Sequence, residues 1–140
     1  MNTNYTDHID LNEFAERMLP PSLRENHTAV RLFINAWGAG LIDYIFELDT
    51  WITGPKLTRP ALAYWCQRAS TFLGLDRGFH RTNWKLFDEV FGGSNPLKAS
   101  LHSFLDRKTN PHYREIVDDF FNNQNGDNDA YSRVLNNSIT

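Results

Sequence analysis

Apolar residues along this chain recur at spacings of three and four, and no stretch alternates cleanly with period two. Val and Ile together number only eleven. The pattern therefore predicts helices throughout. Asp10 followed by Glu13 has the form of a capping box, and Leu11, Phe14, Ala15 and Met18 give one apolar face. Pro20-Pro21 stops that first helix. From Thr28 to Thr53, residues Val30, Phe33, Ile34, Trp37, Leu41, Tyr44, Ile45, Leu48, Trp51 and Ile52 keep helical spacing. This reads as one amphipathic helix of about seven turns, ended by Gly54-Pro55, with Gly38 and Gly40 inside it.

Thr58 caps the next expected helix, with Pro60 in its first turn and Leu62, Trp65, Cys66, Ala69, Phe72 and Leu73 on its face. Gly74 ends it, and a loop follows through Asp76-Arg77-Gly78. Thr82 or Asn83 caps a short helix carrying Trp84, Phe87, Val90 and Phe91. Asn95-Pro96 opens another, with Leu97, Leu101, Phe104 and Leu105 inward. Asn110-Pro111 opens the last, with Tyr113, Ile116, Val117, Phe120 and Phe121.

These elements predict an all-α fold: a compact irregular bundle of five or six helices around a long central one, occupying residues 1–121 as a single domain. Residues 122–140 read as a polar linker and a C-terminal arm. Tyr131, Val134 and Leu135 recur there at helical spacing and would dock on a neighbour.

Length and composition support a globular reading. A 16.3 kDa chain buries roughly two thirds of its surface on folding, enough for a core without staples. With 41% hydrophobic and 22% charged residues, disorder, collagen and disulfide scaffolds are excluded. A single cysteine, Cys66, has no partner for an internal bridge. The first residues carry no basic and apolar run of a secretory signal, and no run of eighteen apolar residues is present. The expectation is a chain not secreted through a signal peptide and without a membrane partner.

Charge is segregated. The net charge of −3 divides into −5 for residues 1–53, +5 for 54–87 and −3 for 88–140. Such a layout suits head-to-tail contact between copies, contact of the middle with a polyanion, or a middle folded back on its own acidic flanks. Within the basic part, Arg68, Arg77, Arg81 and Lys85 interleave with Phe79 and Trp84. Guanidinium and aromatic groups together suit a protein interface, where Arg and Trp are favoured anchors, or a nucleic-acid backbone with unstacked bases. The acidic flanks and a pI near 5.9 favour the interface.

Tests for catalysis find little. No phosphate-binding glycine loop, nucleophile elbow or zinc-protease motif occurs. His80 lies in the basic loop, and His102 has the i,i+4 spacing of a surface pair with Asp106. Cys66 reads as a buried structural thiol. No catalytic residue, cofactor or metal is expected.

Leu19-Pro20-Pro21-Ser22-Leu23-Arg24, followed by an aromatic-rich helical body, resembles the opening of small structural proteins in the tail and baseplate gene clusters of phages infecting Bacteroidetes. The resemblance covers these six residues and the pattern of the next thirty. It implies a non-enzymatic, multi-copy virion or tail assembly protein, found in the virion or host cytoplasm. Its partners would be other copies of itself or other virion proteins. Pro20, Pro21, Leu23 and Arg24 would form a docking arm, and Arg77, Phe79, Arg81, Trp84, Tyr131, Val134 and Leu135 further contacts. The alternative is a small helical nucleic-acid-binding or regulatory protein using residues 54–87.

Overall fold

The computed structural model describes residues 10–93, 95–106 and 111–124. Asp10 accepts hydrogen bonds from the N–H groups of Asn12 (2.8 Å) and Glu13 (3.2 Å) and starts α1, Leu11–Met18. Pro20 and Pro21 end α1 as expected, but Pro21 also opens a one-turn helix, α2, Pro21–Arg24. Asn26 then caps α3, His27–Gly38, by accepting from Ala29 N–H at 3.1 Å.

The long central helix and the all-α class do not hold. Beyond Gly38 the chain turns, and Ile42–Ile45 (β1) pairs antiparallel with Thr50–Thr53 (β2). Ile42 faces Thr53 and Ile45 faces Thr50, around a turn at residues 46–49. Seven helices and a two-stranded sheet make up the described fold. The reason lies in the residues. Ile42, Ile45, Thr50, Ile52 and Thr53 are β-branched and suit a pleated surface. Gly40 takes a left-handed φ of 82° that stops the helix. Gly54 completes the arrangement: a Cβ there would lie 2.4 Å from the Gly40 carbonyl oxygen and 2.7 Å from the Ile42 nitrogen. Only a glycine lets its N–H reach the Leu41 carbonyl at 2.9 Å. Leu48, expected inward on a helix, sits in the turn and is 69% exposed.

The hairpin aims Trp51 into the core. Its indole N–H donates to the Met18 carbonyl at 2.7 Å, and its own carbonyl accepts from Gly92 N–H at 3.0 Å. Phe33 of α3 lies at the centre, with ring centroids 5.4 Å from Trp51, 5.7 Å from Trp65 and 6.3 Å from Phe91. The two tryptophans meet Phe33 edge to face and Phe91 stacks on it, and such ring pairs add to the burial of the rings themselves.

Thr58 caps α4, Arg59–Phe72, with Pro60 in its first turn, as the sequence predicts. Asn83 caps α5, Trp84–Val90; α6 spans Leu97–Asp106 and α7 spans Pro111–Asn122. Helix α4 packs along both α6 and α7. Tyr64 stacks on Phe104, and Trp65 meets Phe121. Leu105 and Phe72 are partly exposed rather than inward. A polar clasp joins α4 to α7: the Tyr64 hydroxyl donates to Asp118 at 2.6 Å, and Arg68 pairs with the same carboxylate while lying over the Phe121 ring. Gln124, from the stretch expected to be a polar linker, is buried. Tyr131, Val134 and Leu135 lie outside the described residues. Among the described residues, no helix is long and apolar enough to cross a membrane.

Candidate functional site

The basic loop is built from the end of α4. Gly74 takes φ 70°, and Leu75 N–H returns to the Ser70 carbonyl at 2.8 Å, which closes the helix and turns the chain out. Ser70 then ties both feet of the loop. Its buried hydroxyl donates to Asp76 and accepts from Asn83 N–H at 3.1 Å. Thr71 adds a second hydroxyl to Asp76 at 2.9 Å. The single acid of residues 54–87 is thus committed to holding the loop.

Between these feet, Arg77 and Arg81 form an antiparallel bridge, with Arg77 N–H donating to the Arg81 carbonyl at 2.7 Å. Gly78 (φ 63°) and His80 (φ 57°) both take left-handed backbone to make so tight a return. Phe79 stands at the tip, 89% exposed, with the His80 ring 4.6 Å from it edge to face. Two arginines directly opposite one another repel. The loop holds them together nonetheless, because its bonds are to backbone and to Ser70.

An open groove of about 990 Å³ runs beside this loop. The loop and the first turn of α5 form one wall, with Arg77, His80, Arg81, Trp84 and Lys85. Lys98, Leu101 and His102 of α6 line it as well, along with Gln67 of α4. The four cations are exposed, and none forms an ion pair with a described residue. Among the described residues, no carboxylate lines the groove. Its chemistry is that of an anion receptor: fixed positive charge, ring donors and one indole surface.

Of the residues singled out in the sequence, Arg77, His80, Arg81, Trp84 and Lys85 meet in this groove, and Phe79 flanks it. Arg68 does not join them, being engaged by Asp118. Lys98 and His102 were missed as site residues. They lie on another element, and the signal for them was their own i,i+4 spacing on one face of α6. The Leu19–Arg24 stretch is no free arm: Leu19 and Leu23 are core residues, and Arg24 Nε donates to the Leu19 carbonyl at 2.9 Å. Pro20 is half-buried and Pro21 exposed at the start of α2.

Cys66 is fully buried on α4, and that burial pushes its thiol well above the ordinary value, with Asp88 adding to the rise. It stays protonated, hence a poor nucleophile. Burial also raises the Tyr64 hydroxyl, helped by its bond to Asp118. Among the described residues, no group of three or more His, Cys, Asp or Glu side chains is placed to hold a metal ion.

Comparison with protein-family models, with curated proteins and with solved structures gave no match.

Proposed function

We propose that this chain is a non-enzymatic assembly protein that holds an anionic partner in the groove between the Arg77–Arg81 loop and α6. One observation carries the reading: Arg77, Arg81, Lys85 and Lys98 converge there with two imidazoles, and no carboxylate is among the described residues of the lining. Isolated like charges cost stability unless something of opposite sign comes to them. The fold spends Ser70, Thr71 and Asp76 on keeping that loop in place. The resemblance of residues 19–24 to phage tail structural proteins implies an assembly protein that acts through contacts rather than catalysis.

Retention on a polyanionic heparin resin tests the reading. The intact chain is expected to bind at low salt and elute as salt rises, because exposed charge is screened. The Arg77→Gln, Arg81→Gln, Lys98→Gln variant is expected to pass through unretained. An intact chain that passes through unretained overturns the reading. Light scattering on the same protein reports the mass of the assembly, and a strict monomer at all concentrations would remove the multi-copy part.

A further inference from the structure

We propose that the occupant of this groove is a single strand of nucleic acid, with backbone phosphates on Arg77, Arg81, Lys85 and Lys98 and an unstacked base against Trp84. The inference rests on the anion-binding reading above and names the partner. Three observations select it.

The first is the amount of charge against the amount of space. Four cations exceed what one phosphate or carboxylate neutralises, and about 990 Å³ lies at the top of the range for small-molecule sites, about 300–1,000 Å³. An open groove with cations on more than one element suits a chain of anions rather than a single one.

The second is the kind of cation. The loop supplies arginines, whose planar forks grip phosphate oxygens two at a time. The bridge holds Arg77 and Arg81 side by side, and Lys98 and His102 stand one helical turn apart, about 6 Å.

The third is the aromatic surface. Trp84 lines the groove and keeps part of its indole exposed while the rest packs against the core, and Phe79 offers nearly its whole ring at the loop tip. A polyacidic peptide answers the charges and leaves both rings uncovered. A duplex answers the charges but hides its base faces. A single strand answers both, since every base has a face to stack. Stacking on an aromatic face tolerates any base, so sequence-tolerant binding is expected.

The experiment is an anisotropy titration of the full chain with labelled oligothymidylate of about a dozen nucleotides. Unlabelled duplex and polyglutamate serve as competitors. Four phosphate contacts at a slope of about −0.7 each predict an affinity falling about 50-fold between about 50 and 200 mM salt. Arg77→Gln with Arg81→Gln should halve that slope. Trp84→Leu should weaken binding about 5- to 150-fold with the slope kept, which is the loss of one stacked base. Phe79→Ala, at a position too exposed to disturb folding, should weaken it in the same slope-preserving way. Competition by polyglutamate as strong as by unlabelled oligothymidylate, with the two aromatic variants unchanged, would overturn the nucleic-acid assignment and leave the anion-binding reading standing. Preference for the duplex would overturn it too. No binding of oligothymidylate, together with no retention on heparin, would remove both.

Discussion

The Asn35 side-chain amide donates to the Gln124 side-chain carbonyl at 3.0 Å, inside the protein, across 89 residues of sequence. Both side chains are buried, at 5% and 4% exposure, and Gln124 also donates to the Phe120 carbonyl at 2.7 Å. The bond joins the last turn of α3 to the turn that follows α7. Buried amides left without a partner cost about 1–3 kcal/mol. Gln124→Ala should therefore lose about that much in urea unfolding. The Asn35→Leu, Gln124→Leu pair should lose less than the two single changes combined, because it removes donor and acceptor together. Equal losses for the pair and the sum would mean that the two amides act independently.

Gly54→Ala should destabilise by more than about 1 kcal/mol, because the added carbon meets backbone rather than a yielding side chain. The same change at Gly92, where the nearest atom is the Thr50 hydroxyl at 3.1 Å, should cost less. Thermal unfolding of the two variants side by side checks the order.

Leu41, just before the hairpin, is buried and Leu48, in its turn, is exposed. Leu41→Ala should cost about 2–5 kcal/mol, and Leu48→Ala under about 0.5 kcal/mol. A continuous helix through residue 53 would make both changes costly, so the pair of measurements separates the two architectures.

How far the sequence reveals these features depends on the range of the forces behind them. Caps at Asp10 and Thr58 were legible, and that of α5 was narrowed to Thr82 or Asn83, because a cap is a bond between a side chain and a backbone N–H two or three residues on. The hairpin was not, since Leu41, Tyr44, Ile45, Leu48, Trp51 and Ile52 fit a helical face as well as two short strands around a turn. What decides between them is the contact of Gly54 with Gly40, fourteen residues apart. The groove was half legible. Its loop wall is contiguous in sequence, whereas Lys98 and His102 reach it only through the packing of α6 on α4.

Alkaline pH should weaken the fold. Cys66 and Tyr64 both have raised values in the folded chain, so it holds these protons to higher pH than the unfolded chain does. Their contribution is fully present below the unfolded values and is lost as pH rises through the folded ones. Unfolding free energy should accordingly decline from about pH 9 upward, starting with the thiol. Cys66→Ala should flatten the first part of that decline. An identical decline in the variant would exclude the thiol as its source.

The position of α7 bears on how the chain is made. Trp65 is enclosed partly by Phe121, and Val117 lies beside it on the same helix, wholly buried. Synthesis runs from the N-terminus, at about 5–20 residues per second. A nascent chain that has α1 to α6 still lacks the residues that seal α4, and for about one to three seconds of synthesis that face of α4 is uncovered. Among the described helices α7 is the last to be made, so the apolar face of α4 that it covers is the part of the core closed last.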